Sequence, residues 1–570
     1  CFPFLSLAEF CATLRRPLSH PLKLTRRVLR KQVCGCYTLA AVIYCIPASR
    51  IQMGRIMAAM RTGVRTMSLQ ILLKICRGIR LFAAFLSAIA IAAVLNAQQT
   101  PQITIHWDKT TVISKSTPTL QVVVNPPLRH GDPLSAASYK AVKELGADYV
   151  RYVPWLPYPR LGIAELEPPT AQKTSWDFSL IDPMTKDFLA ATEGHSTIVN
   201  FSTIPTWLFR TDKPVTYPAD PYQVTWDYTQ GTELRDPSGK ELGDYYARLV
   251  SWYVNGGFSD ENGVRHESGY HYKLPYWEVL NEVEYEHNMT PEQYAARYDA
   301  IVSAIHAVSP ETKFVGLALA EPSKNPRYFE YFLDHANHRH GIPLDFISYH
   351  FYASPGRGQT VEDWQYTFFD QADGFLNSVR YIEEIRKRLS SQTRTTLDEL
   401  GVILPTDNTP EDNALPPPAY WNLAGSLYAY LYIQLSRLQI DVIGESQLVG
   451  YPTQFPSVSM MNWENDKPNA RFWVLKLIKD SFHSGDALVE TSLAGTGSDS
   501  VTAQAFVTAS GHKLLVVNKR NHAVEIALPD ADKASALTVD LESGDGPARG
   551  VKSSAGSIRL EPFAVTVVSW

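Results

Sequence analysis

Two glutamates close short apolar runs in this chain. Tyr276-Trp277-Glu278-Val279-Leu280-Asn281-Glu282 ends abruptly in Asn281-Glu282, and Thr395-Thr396-Leu397-Asp398-Glu399-Leu400-Gly401 delivers Glu399 near its end. Runs of four to eight aromatic and branched residues without polar alternation read as buried parallel strands. A carboxylate just past such a strand sits on the C-terminal rim of a β/α barrel, where catalytic groups gather. Two carboxyls facing each other across one sugar ring can cleave a glycosidic bond. One, protonated, donates to the leaving oxygen; the other, ionised, attacks the anomeric carbon. In retaining hydrolysis the two stand about 5–5.5 Å apart. Glu282 and Glu399 are far apart in sequence, so only the fold can bring them together, and strands four and seven of an eight-stranded barrel do so across its mouth.

The neighbours of these glutamates extend the pattern. Asn281 is a neutral donor suited to a sugar 2-hydroxyl, a contact that strengthens in the transition state. Arg151, in the run Asp148–Val153, either keeps Glu399 ionised by opposite charge or makes an ordinary rim ion pair. His350 is followed by Tyr352 on the same strand face. Trp155, Trp207 and Asn200 follow early strands and are weaker candidates for the rim, and His130 could line the rim of the first strand. Asp398 is the nearest rival to Glu399, but strand alternation turns it to the opposite side. Glu445 is a second rival. Glu284 and Glu286 read as solvated charges in the loop after Glu282. No His/Asp/Glu group has metal-ligand spacing, so the sequence calls for neither a metal nor a cofactor.

The elements that must hold these residues alternate between strand and helix. Strand-like runs cover Leu120–Asn125, Asp148–Val153, Thr197–Phe201, Tyr276–Glu282, Lys313–Leu319, Asp345–Phe351 and Thr395–Glu399. The eighth strand is either Ile440–Gly444 or Val458–Trp463. Helical periodicity falls at Ser135–Leu145, 178–193, 241–255, 327–337, 372–389, 420–436 and 468–482. Thr290-Pro291-Glu292-Gln293 offers a capping box with Pro at the first helical position, opening a further helix. This rhythm predicts a parallel sheet with helices outside, an α/β fold of the (β/α)8 TIM-barrel type. An open nucleotide-binding sheet is disfavoured, because no Gly-rich phosphate turn follows the first strand. The long connection from Ser202 to about Lys240 carries Trp207, Tyr217, Tyr222, Trp226 and Tyr228, a content that argues against disorder.

Beyond residue 484 the texture changes to short alternating strands separated by turn clusters such as Gly544-Asp545-Gly546-Pro547, which predicts a C-terminal all-β sandwich over 484–570. The barrel occupies 98–483, and the alternating stretch within 98–117 belongs either to the barrel floor or to the sandwich. Ahead of it, Lys74, Arg77 and Arg80 precede the apolar run Leu81–Leu95 and a Leu95-Asn96-Ala97 cleavage site. Residues 67–97 therefore read as a signal peptide, with export to the periplasm or the medium. The apolar run is about fifteen residues, short of the roughly 20 needed to span a bilayer, so no stable membrane insertion is expected after cleavage. Residues 1–66 are basic and irregular and read as a non-structural upstream segment. All six cysteines lie at or before Cys76, so the domains carry no disulfide framework. A net charge of −5 gives no basic face for nucleic acid.

Trp277-Glu278-Val279-Leu280-Asn281-Glu282 resembles the Asn-Glu strand end of clan A glycoside hydrolases. The resemblance implies that Glu282 is the acid/base and Glu399 the nucleophile. Ile347–Tyr352 is similar to the clan's sixth strand, which implies that His350 or Tyr352 lies near the nucleophile. Met460-Met461-Asn462-Trp463 is similar to its eighth strand, which implies that Trp463 forms a floor under the sugar. With its sandwich tail the chain looks most like family 39, the β-xylosidase and α-L-iduronidase family, over residues 118–570. Val283 stands where that family has Pro, and Asp398-Glu399-Leu400 departs from its nucleophile context. The resemblance implies a secreted, exo-acting, retaining glycosidase acting on oligosaccharides or glycosides of plant or microbial origin. The alternatives are a carbohydrate-binding protein on a glycosidase fold, and a polysaccharide lyase.

Overall fold

The computed structural model describes residues 100–570 apart from 227–230, 409–414, 453 and 555. The signal peptide and upstream segment expected at 67–97 and 1–66 lie outside the described residues. No helix among the described residues is long and apolar enough to cross a membrane.

Eight parallel strands close into a barrel in chain order: Thr117–Val123, Val150–Val153, Thr197–Val199, Tyr276–Glu278, Lys313–Leu319, Phe346–Ala353, Arg394–Val402 and Val442–Glu445. The eighth pairs with the first, Val442 opposite Thr117. Of the two candidates for that strand, the segment around Ile440–Gly444 forms it. Val458–Trp463 does not: Pro456–Val458 is a 3-10 turn, and Met461–Asn462 pairs with Lys467–Pro468 in a small separate hairpin.

Local signals set the helices. Asp132 caps Pro133–Leu145 by accepting from Leu134 N at 2.9 Å, and Gly146 ends the helix at φ 57°, where a side chain would be strained. The Thr290–Gln293 capping box forms in both directions. The helix expected at 372–389 starts earlier, at Val361, because the Asp363 carboxylate accepts the Thr360 backbone N–H at 2.8 Å and so opens it. An unanticipated hairpin, Gly257–Ser259 with Arg265–Glu267, precedes the fourth strand.

Two irregularities shape the barrel mouth. The fourth strand ends at Glu278, four residues sooner than the apolar run suggests, because Leu280 and Glu282 turn left-handed at φ 66° and 42°. The seventh strand bulges: its register slips against the sixth between Thr396 and Glu399 and against the eighth between Leu397 and Leu400. A bulge re-aims the side chains around it.

The C-terminal strands form a nine-stranded sheet that folds over a core of its own, with Ile103, Val501, Leu514, Ile526, Ile558 and Val568 among the buried residues. Strand Gln102–Ile113 lies inside this sheet, antiparallel to Ala487–Ala494 and touching Val524–Ala527 on its other edge. The sandwich packs on the barrel through Phe482 and Phe506, whose ring centres are 4.4 Å apart, and through Arg437, which donates to Gln504 at 2.8 Å and to the Ala503 carbonyl at 2.9 Å.

Candidate active site

Arg151, on the second strand, organises the mouth. Its guanidinium is fully buried, where an unpaired charge would be prohibitive. Nε donates to Glu278 Oε2 at 2.5 Å, Nη1 to Gln121 Oε1 at 2.6 Å and to Glu399 Oε1, and Nη2 to Asn281 Oδ1 at 2.7 Å. One side chain thus ties the first, fourth and seventh strands together. Arg151 is thus ion-paired, as the rim alternative had it, and one of its partners is Glu399.

Glu399 accepts from Arg151 on Oε1 and from the Tyr352 phenol on Oε2 at 2.7 Å. Both oxygens are donor-bonded, an arrangement suited to an anion. Tyr352 also meets Ser446 Oγ at 2.5 Å, and Gln121 donates to the same hydroxyl at 2.6 Å. Glu282 stands opposite. Its Oε1 is 3.1 Å from His350 Nδ1, and its side chain is one-quarter exposed, open to proton exchange with solvent. A carboxylate oxygen from each of Glu282 and Glu399 and a ring nitrogen of His350 lie within 4.8 Å of one another. That trio could in principle hold a cation, but Arg151 already occupies Glu399, and the imidazole is held in its charged form. Burial lowers the His350 pKa, but Glu399, Asp398 and Glu282 outweigh burial and lift it well above the ordinary value.

Beneath the glutamates lies a second pair of carboxyls. Asp398 does not point away from the site; the bulge turns it inward beside Glu399. It stands 3.6 Å from Arg151 Nε and 3.5 Å from His350 Nε2. Its burial opposes ionisation, but Arg151 and then His350 prevail and hold its pKa below the ordinary value. Glu278 behaves oppositely. Burial outweighs Arg151, and the neighbouring Asp398 adds to it, so its carboxyl is pushed up to about 8. Ser348 donates to Glu278 Oε1 at 2.5 Å and Asn200 to Oε2 at 2.7 Å. At neutral pH the pair is one anion and one neutral acid.

Glu286 is not a solvated loop charge. It is buried in the short helix Val283–Glu286 and accepts from Asn281 Nδ2 at 2.9 Å and from Trp155 Nε1 at 2.6 Å. Burial, countered by the Asn281 hydrogen bond and reinforced by Glu282, raises its pKa to about 8. Glu284 is also mostly covered and accepts from Glu321 N at 3.1 Å; burial raises its pKa to about 7. The Trp155 ring lies 5.7 Å from Trp226 and 6.4 Å from Phe455, giving an aromatic wall built from three loops.

The structure thus gathers Glu282, Glu399, Asn281, His350, Tyr352, Arg151 and Trp155. Three other candidates have different immediate neighbours. Trp463 sits in the turn of the Met461–Lys467 hairpin, outside the barrel sheet, because no barrel strand forms there. His130 is exposed and bonded to Asp187 at 2.8 Å on the outer flank. Trp207 donates to the Glu165 carbonyl at 2.9 Å. The rival Glu445 is bound to Arg471 at 2.8 Å, both fully buried. Gln121, Ser348, Ser446 and Glu278 went unnoticed in the sequence. Only Glu278 carried a signal, a charge inside an apolar strand, which must be paired or neutral.

A family model described as the D-apionate lactonase C-terminal immunoglobulin-like domain matches residues 498–568. No curated protein sequence matches the chain. Among solved structures, the GH51 arabinofuranosidase from Xanthomonas axonopodis pv. citri is similar at 12% identity and a TM-score of 0.56, covering 82% of this chain and 99% of its own. The GH51 α-L-arabinofuranosidase from Thermotoga petrophila RKU-1 is similar at 15% identity and a TM-score of 0.53, covering 83% of this chain and 100% of its own. A glucosidase from Croceicoccus marinus is similar at 14% identity and a TM-score of 0.51, covering 83% and 99%. At such identities the likeness is one of fold: a barrel followed by a β domain.

Proposed function

We propose that the protein is a retaining glycoside hydrolase, with Glu399 as nucleophile and Glu282 as acid/base. The observation that carries this reading is the approach of one carboxylate oxygen of Glu282 to one of Glu399 within 4.8 Å at the barrel mouth. So close an approach favours the retaining arrangement, with carboxyls about 5–5.5 Å apart, over the wider one an inverting pair needs to admit a water. Arg151 and Tyr352 hold Glu399 ready to attack the anomeric carbon. Glu282, reached by solvent, protonates the leaving oxygen and then takes a proton from the water that releases the sugar. Asn281 donates to the 2-hydroxyl, and Trp155 with Trp226 and Phe455 offers an apolar face to the ring. The reading extends to an exported, exo-acting enzyme of family-39 character that works on oligosaccharides or aryl glycosides.

Chemical rescue tests the two roles. Glu399→Ala should abolish turnover, and azide should then give a glycosyl azide of inverted configuration. Glu282→Ala should fall about 10²–10⁴-fold on substrates with poor leaving groups and still form the glycosyl-enzyme from 2,4-dinitrophenyl glycosides. Azide should restart that variant with retention. Retained product from Glu399→Ala, or near-normal activity in either variant, would sink the assignment.

A second reading, hydrolysis of a sugar-acid lactone, has one observation in its favour, the family-model match over residues 498–568. That match includes no barrel residue. A screen of 4-nitrophenyl glycosides beside aldonolactones separates the two, and an ultraviolet-absorbing unsaturated product would instead mark a lyase.

A further inference from the structure

Asn281 and Trp155 come from different loops, yet both end on Glu286. An asparagine amide has one acceptor oxygen and two N–H donors. Arg151 Nη2 holds Oδ1 at 2.7 Å, and Glu286 Oε1 takes one N–H at 2.9 Å. Flipping the amide would lose both bonds, so its orientation is fixed, and the second N–H is the one the glycosidase reading gives to the 2-hydroxyl. The same Glu286 oxygen takes the Trp155 indole N–H at 2.6 Å and so sets the plane of the aromatic wall. Glu286 also closes the strained turn that carries Glu282. Its backbone N–H bonds the Glu282 carbonyl at 2.9 Å, and Leu280 and Glu282 on either side of Asn281 are left-handed. Such backbone persists only when its surroundings over-determine it.

We propose that Glu286 is a positioning residue whose single acceptor oxygen fixes both the 2-hydroxyl donor Asn281 and the aromatic wall Trp155, making the site selective for glycosides with a free 2-hydroxyl. This rests on the glycosidase reading above. What Glu286 supplies is an acceptor and a shape rather than a charge: burial pushes its carboxyl up to about 8, which disfavours the ionised form.

The test compares a 4-nitrophenyl glycoside that the wild type cleaves in that screen with its 2-deoxy counterpart. Glu286→Gln keeps the acceptor oxygen and should hold kcat/KM within about threefold, with unchanged preference for the 2-hydroxyl. Glu286→Met has similar length and no acceptor of comparable strength. Its preference for the parent glycoside should fall roughly tenfold or more, through kcat rather than KM, because the lost contact is strongest in the transition state. Glu286→Ser replaces it if the Met variant does not fold. A folded Met or Ser variant with wild-type preference, or a Gln variant as impaired as either, would overturn the proposal. If Glu282→Ala and Glu399→Ala stay active, or no glycoside of the screen is cleaved, the glycosidase reading itself fails and this inference with it. If those two variants are inactive and only the 2-hydroxyl preference is unmoved, the positioning role alone fails.

Discussion

Replacing Glu278 by glutamine puts the electrostatics of the mouth to a quantitative test. Glu278 and Asp398 face the same arginine, and only one of them is held ionised. Glu278 is the neutral partner, its carboxyl raised from 4.5 to about 8. A raised folded value means that the native state keeps a proton the unfolded chain releases. Stability is therefore lost as pH rises through the window from about 4.5 to about 8. Between pH 5 and pH 7 this one group accounts for about 2–3 kcal/mol of lost stability, at 1.36 kcal/mol per pH unit. Glutamine has the shape of the neutral acid and no proton to lose. Its carbonyl can accept from Arg151 and Asn200, and its amide can face Ser348 and Asp398. Glu278→Gln should therefore match the wild type near pH 5 and gain on it by about 2 kcal/mol at pH 7. Denaturant unfolding of both proteins at the two pH values reads this difference directly. Asp398→Asn removes the anion that His350 and Arg151 face, and its cost should be present in full at pH 5 as well as at pH 7, because a carboxyl held below its ordinary value of 3.8 is ionised throughout that range and loses its contribution only in stronger acid. A Gln variant whose difference from the wild type is the same at both pH values would refute the assignment.

Glu445→Ala should cost about 3–5 kcal/mol in unfolding free energy by leaving Arg471 charged and unpaired in the interior, while the folded fraction keeps its kcat. Trp463→Ala should change kcat/KM for the preferred aryl glycoside by less than about threefold, since that tryptophan lies in a hairpin turn; a hundredfold loss would restore it as a sugar platform.

The barrel was legible because its strands end on residues that an apolar run does not tolerate. Lys313–Leu319 stands as the pattern drew it, and Glu282 and Glu399 stood out as carboxyls ending such runs. Asp398 was not legible. Strict alternation sends it outward, and the bulge that brings it beside Glu399 depends on pairing with two neighbouring strands. Glu286 escaped for a similar reason: a glutamate in a loop is charged and solvated until Trp155 and Asn281, from elsewhere in the chain, bury it. The eighth strand was ambiguous because Met460–Trp463 is as apolar as Val442–Glu445. Only closure on the first strand decides between them. The long helix from Val361 was read too short because its first turns are covered from two sides by distant parts of the chain: Trp364 packs on Tyr420 at 5.7 Å, and Gln365 accepts from the Asn521 backbone N–H at 2.8 Å.

The strand Gln102–Ile113 carries a consequence for how the chain is made. It is formed early on the ribosome, yet its partner Ala487–Ala494 comes only after the whole barrel. At about 5–20 residues per second, some twenty seconds to over a minute pass between the two. During that interval Ile103 and Ile105 have no sheet to enter, and both edges of the strand are open. The barrel must fold while tethered to this waiting segment, and the sandwich cannot be completed until the chain's last strands return to it. Expressing 484–570 alone would therefore yield a sheet with a gap in its middle, whereas supplying residues 100–114 as a separate peptide should fill that gap by strand addition.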